Sequence, residues 1–378
     1  GQAARGQAAR GGQMLKARGD RGCCDRCAGA TGMADAARVA RRRLFKDAVF
    51  GLAPGLTPEP GPLGRDGDWP EGAGPGPGGP GFPDPARLTR AVSGLVLDVS
   101  PHVLVIGDPD GPGQEQRFTL TAEATTWRGG QAEPTGLHQG DLAVLRLHPS
   151  QRGVVDRIWA NIGRVTGTIV ELGRDFMIVD EGAIRRRQTV RIPDRAAGRI
   201  QVRFPTLQPG YLIDVIGLRH ENYLEGLIPA TSQPAYPADR LPEPPLIGGH
   251  VPDAISGSAT WHEPATGEPP GVLGVYYPAL DPETGCVEDT IAGHPRGYAR
   301  MPYLAIGSAL LVRNDCNGAS CVLPVTGCAA VARLFNDRCV TCGTSPRGRV
   351  ADLTQASFVA LGGELDKGCF NATISIGR

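Results

Sequence analysis

The strongest constraint on this chain is a stretch of β-patterned text that occurs twice. Ser93-Gly94-Leu95-Val96-Leu97-Asp98-Val99, followed by His102-Val103-Leu104-Val105-Ile106, reads as two strands joined by a short turn. Thr166-Gly167-Thr168-Ile169-Val170-Glu171-Leu172 and then Asp175-Phe176-Met177-Ile178-Val179 repeat the arrangement further along. The second halves match too: Leu137-His138-Gln139-Gly140-Asp141-Leu142 and Leu207-Gln208-Pro209-Gly210-Tyr211-Leu212 each precede a β-rich run. Alternating apolar residues, β-branched enrichment and glycine turns predict antiparallel β units. Two small OB-like barrels in tandem, over residues 89–162 and 163–228, are the expected outcome.

Composition narrows the function classes. The chain has 54 glycines and 34 prolines among 378 residues, the two poorest helix formers, which argues against a compact helical domain. No apolar run approaches the roughly 18 residues that cross a bilayer, so no integral membrane segment is expected. Lys and Arg total 39, as do Asp and Glu, for a formal charge of zero. Such a chain has no global field to attract nucleic acid, and no nucleic-acid partner is expected. No P-loop, Rossmann, HExxH or GxSxG pattern occurs, so neither cofactor nor metal is expected. The run Arg185-Arg186-Arg187 fits a solvated loop or a charged strand edge better than a phosphate site.

Two stretches cannot bury a core. Residues 1–88, with a repeated GQAAR and a Gly/Pro-rich part over 51–85, read as a disordered tail. Within it, Arg41-Arg42-Arg43-Leu44-Phe45-Lys46 fits the twin-arginine export pattern, and equally a basic amphipathic helix. Residues 229–254 are punctuated by seven prolines, Pro229 to Pro252, and read as a linker. Cysteines then crowd the remainder: Cys286, Cys316, Cys321, Cys328, Cys339, Cys342 and Cys369. That density predicts a disulfide framework and an extracytoplasmic or secreted location, with zinc at Cys339-x-x-Cys342 as the rival reading. Seven is odd, so one thiol should lie outside the framework.

The C-terminal region, 255–378, has its own pattern. Gly257-Ser258-Ala259-Thr260-Trp261-His262 reads as a strand, as does Ile306 to Asn314. Gly348-Arg349-Val350-Ala351-Asp352-Leu353-Thr354 reads as a turn and strand leading into a short helix capped by Thr354 and stopped at Gly362-Gly363. These pieces, with Met301-Pro302 and Gly307-Ser308 between them, resemble the double-psi β-barrel of rare lipoprotein A and, more distantly, of expansins and family 45 glycoside hydrolases. The resemblance covers about a third of the chain.

The resemblance implies an open groove that accepts peptidoglycan or another polysaccharide, with Asp352 at its floor as general acid in a lytic-transglycosylase-like reaction. Trp261, Tyr298 and Tyr303 are the glycan-binding candidates, although a tryptophan in a first strand is more often a core residue. Tyr298 occupies the position where that family carries a histidine, which predicts binding with little or no turnover. The residue types alone give a plainer role for Asp352, a carboxylate serving the helix end. His262, Glu263, Asp289 and Asp315 are acid or base candidates that no motif supports. The whole reads as an all-β protein: a tail, two OB-like barrels and a double-psi-like barrel, associated with cell wall or polysaccharide. The alternative is a non-catalytic structural protein whose barrels self-associate through exposed edges.

Overall fold

Strands form where apolar and polar residues alternate, and the turns fall at glycine. In this computed structural model, residues 91–108, 115–182, 187–240, 254–264, 271–278, 280, 304–328, 339, 341–345 and 348–376 are described. The expected tail, the twin-arginine segment, Arg185, Arg186, Cys286, Asp289, Tyr298 and Tyr303 lie outside the described residues.

The first unit contains β1 (Ala91–Val99), β2 (Val103–Gly107), β3 (Gln116–Trp127), β4 (Gln131–Ala132), β5 (Leu142–Leu147) and β6 (Val154–Ala160). Five of these close a ring in the order β1-β2-β3-β6-β5, and β4 extends β3 as a hairpin. The second unit contains β7 (Ile162–Leu172), β8 (Met177–Asp180), β9 (Arg187–Arg191), α1 (Asp194–Arg203), β10 (Leu212–Arg219) and β11 (Leu224–Pro229). It closes in the same order, β7-β8-β9-β11-β10. Both are the small OB-like barrels expected.

The expectation of purely antiparallel units is corrected at one seam in each ring: β3 pairs with β6, and β9 with β11, in parallel. Parity requires it. Direction can alternate all the way round a closed ring only when the strand number is even, so five strands force a parallel contact. Helix α1, which the β pattern did not announce, fills the link between β9 and β10. Ala196 and Ile200, one turn apart, are its buried residues, with Asp194 in its first turn and Arg203 in its last.

The matched glycines occupy equivalent places. Gly94 and Gly167 lie where a Cβ would run into the carbonyl oxygens of Gly107 and Asp180, at corresponding ends of the second strands. Gly140 and Gly210 have φ of 88° and 91° and donate to Val96 and Ile169 carbonyls, each at 2.8 Å. In return, the amides of Val96 and Ile169 donate to the carbonyls of Asp141 and Tyr211 at 2.8 and 2.9 Å. The positive φ is why glycine stands at these two turns.

The third barrel contains β12 (Ala254–His262), β13 (Val275–Tyr277), β14 (Ala309–Asn314), β15 (Ser320–Cys328), β16 (Arg349–Thr354), α2 (Gln355–Ala360) and β17 (Cys369–Ile376). Its ring runs β12-β16-β13-β15-β14-β17. The parallel contacts are β12–β16 and β13–β15. Exchanging the first three strands with the last three maps this ring onto itself, parallel contacts included. Each half threads between strands of the other, so neither half closes a core alone.

The three barrels share buried surface. A single core cluster contains Trp127, Val144 and Trp159 of the first, Ile162, Ile216 and Ala230 of the second, and Trp261, Leu365 and Phe370 of the third. Trp159 Nε1 donates to Asp366 Oδ1 at 2.7 Å, and Arg157 pairs with the same carboxylate at 3.2 Å. Between β6 and β7 stands only Asn161, at φ 48°, whose side chain accepts from Leu142 N and donates to Asp141 Oδ1. The presumed linker after Pro229 is in part an anchored segment. Thr231 Oγ1 donates to Asp214, Gln233 Nε2 to the Thr206 and Leu212 carbonyls, and Ala238 N to Gly210 O. Proline there removes backbone donors without removing the side-chain bonds that tie the segment down.

Asp214, on β10, is the electrostatic centre of the junction. It is fully buried, as are Arg164 on β7 and Arg349 on β16, at 2% and 1% exposure. Arg164 grips it with two bonds, at 2.9 and 2.7 Å; Thr166 and Thr231 add hydroxyl bonds, and Arg349 closes the set. Burial alone would raise this carboxyl, but the Arg164 and Arg349 charges outweigh it and lower it from 3.8 to about 2. A depressed carboxylate stabilises the fold above its unfolded pKa, and that contribution is lost as pH falls through the folded value. Acid unfolding should therefore show a loss of stability between pH 3.8 and about 2 that is absent in Asp214→Asn. Removing the charge from between two buried arginines should also cost about 3–5 kcal/mol, measured by urea denaturation at neutral pH.

Candidate functional site

Register brings five residues into one row across the third barrel. Tyr276 on β13 pairs with Gly327 on β15 and with Asp352 on β16; Asp352 pairs with Thr260 on β12, and Thr260 with Cys369 on β17. Register neighbours present their side chains on one face of a sheet. His262, two positions beyond Thr260, belongs to that face as well.

Within the row, Thr260 Oγ1 donates to Asp352 Oδ1 at 2.7 Å. The other carboxylate oxygen lies 3.7 Å from His262 Nδ1. The His262 ring stacks on Tyr276, with centroids 3.9 Å apart and planes inclined by 20°. Asp352 and His262 are each 8% exposed. A small cleft opens beside them, lined by His262, Pro264, Gly271, Val272, Thr354, Gln355 and Ala356. His262 therefore contributes to the wall of the cleft, with both ring nitrogens buried, and Asp352 is not among the lining residues. Among the described residues the acid is not at the floor of an open groove: it is buried between the Thr260 hydroxyl and the His262 ring.

The helix end does not use Asp352 either. Thr354 Oγ1 accepts from Ser357 N at 3.2 Å and is the N-cap of α2, as its sequence position predicted. Gly362, at φ 76°, follows the helix. Trp261 is a core residue and not a sugar platform: it is 1% exposed, its Nε1 donates to Leu365 O, and the Arg164 guanidinium lies 5.6 Å from its ring centroid. One residue of alternation separates it from His262, which sends it to the barrel junction. Glu263 also turns to the junction, accepting from Arg219 and from Arg164 N. Asp315 accepts from Arg313 and Thr373 at a surface turn, away from the cleft.

Four of the expected cysteines pair. Cys316 is joined to Cys342, and Cys339 to Cys369, with Cα separations of 5.4 and 6.0 Å. The two sulfurs of Cys339-x-x-Cys342 thus go to different partners, which removes them as joint zinc ligands in the oxidised protein. Cys321 is a buried thiol outside the two disulfides, and burial pushes its pKa up, away from reactivity. Cys328 is buried at the end of β15.

What sequence reasoning missed is the company His262 and Tyr276 keep. No motif marked them, and only the two pairings of β16 with its neighbours bring β12 and β13 to the same acid. No family model matches the chain, and no curated protein matches it either.

Two measurements follow. Peptide mapping without reduction should recover the Cys316–Cys342 and Cys339–Cys369 links and leave Cys321 alkylatable only after unfolding. Asp352→Asn keeps an acceptor for Thr260 and should cost under about 1 kcal/mol, whereas Asp352→Ala strands the hydroxyl and should cost about 1–3 kcal/mol.

Proposed function

We propose that the third barrel is a polysaccharide-associated module in which His262, beside Asp352, is the group that transfers the proton. The observation that carries this reading is the Thr260–Asp352–His262 series ending at a cleft. An imidazole next to a carboxylate is a recurrent acid–base arrangement. Among its described lining residues the cleft has no lysine, arginine or carboxylate. An uncharged lining is compatible with a neutral group such as a single sugar hydroxyl. His262 protonates the glycosidic oxygen as its bond to the muramic C1 breaks, the 6-hydroxyl oxygen bonds to C1 to close the anhydro ring, and the hydroxyl proton returns to His262, so no second carboxylate is needed. The resemblance to rare lipoprotein A supports peptidoglycan as the polymer, and the two disulfides are compatible with an extracytoplasmic setting. Among the described residues no helix is long and apolar enough to cross a membrane.

A second reading, a non-catalytic structural protein, draws support from the burial of Trp261 and of Asp352. Edge-to-edge stacking has little to work with, since only β4, two residues long, stands outside a ring among the described strands.

Co-sedimentation with purified sacculi, and chromatography of released anhydro-muropeptides, test the first reading. Retention on sacculi is expected, with any turnover reduced at least tenfold in His262→Gln. Absence of both retention and release from the native protein would leave the structural reading.

A further inference from the structure

Gly327 is the one member of the row without a side chain, and the reason lies beside it. A Cβ at that position would come 2.9 Å from Tyr276 Cε1 and 3.0 Å from Cδ1, closer than a side-chain carbon normally approaches. The Tyr276 ring therefore lies across the backbone of β15, in a slot that the parallel β13–β15 pairing creates. On Tyr276, in turn, rests the imidazole of His262, nearly face to face.

We infer that Tyr276, seated over Gly327, is a positioning residue that fixes the orientation of the His262 ring toward Asp352 and the cleft. Three observations combine. Asp352 Oδ2 stands at 3.7 Å from Nδ1, beyond the reach of a strong hydrogen bond, so this contact aligns the ring only weakly. Stacking on Tyr276 adds a restraint of its own, because a ring held flat against another loses contact when it tilts about χ2. Gly327 sets the height of that support. The carboxylate in turn is aimed by Thr260, so the imidazole is constrained from two directions by neighbours in one register row.

The inference rests on the reading of His262 as the proton-transferring group, but its test does not need a sugar. Proton NMR of histidine-labelled protein reports the His262 ring resonances, which the Tyr276 ring displaces from those of a free imidazole. Tyr276→Leu should return them toward the free position, Tyr276→Phe should leave them where they are, and Gly327→Ala should move them part of the way by tilting the ring. Unchanged His262 resonances in Tyr276→Leu would overturn the inference, and this variant adds no bulk that would prevent folding. Unchanged resonances in a folded Gly327→Ala protein would overturn the role of the slot. Should the native protein release muropeptides, Tyr276→Leu should reduce that rate and Tyr276→Phe restore it. Displaced resonances without any muropeptide release would support the positioning row and retire the lytic reading alone.

Discussion

Asp214 holds the molecule together because it is one anion shared by two barrels. Arg164 comes from its own barrel and Arg349 from the next, so its single charge is compensated across a domain boundary. Two guanidinium groups at nearly zero exposure would repel one another without it. The arginines are spent on other partners as well. Arg164 also donates to the Trp261 and Gly368 carbonyls, at 3.0 and 2.7 Å, so the same side chain holds the end of β12 and the start of β17, which lie side by side. A surface ion pair could be lost without consequence; this one is inside a common core.

The same junction explains why the third barrel carries its polar row where it does. Alternation along β12 sends Trp261 and Glu263 to the second barrel and Thr260 and His262 to the opposite face. Anchoring one face rigidly leaves the other to hold Asp352 and Tyr276 in fixed register. The disulfide at Cys369 ties the row at its far end to Cys339, whose amide is in turn held by the Ser258 and Ser345 hydroxyls. A site built this way is preorganised by strands and not by loops.

How much of this was legible in the text of the chain depends on the range of the interaction. The tandem repeat, its glycine pairs and the Thr354 cap are local, and local chemistry settles them. Gly140 and Gly210 could be matched because a positive φ leaves a residue signature. The parallel seams, by contrast, follow from ring closure, which no window of residues displays. Helix α1 was hidden because its polar, arginine-rich composition buries only two side chains, Ala196 and Ile200. Trp261 looked like a sugar platform because an aromatic in a first strand has no label for the face it will take. His262 carried no motif at all; its partner Asp352 lies ninety positions further along the chain, and only the strand order makes them neighbours.

The interleaved ring of the third barrel has a consequence for the order of events during synthesis. β12 is the first of its strands to be made, yet its two neighbours are β16 and β17, the last. Trp261, Thr260 and His262 therefore wait beside an unfinished sheet until the end of the chain has been translated. Asp214 waits as well, since Arg349 belongs to β16. Non-local pairing of this kind is slow and leaves apolar surface uncovered in the interval. The two OB-like barrels can close their own rings earlier, and Ile216, Trp159 and Trp127 on them offer the surface on which the third is later assembled. The two OB-like barrels thus serve as the mould for the third.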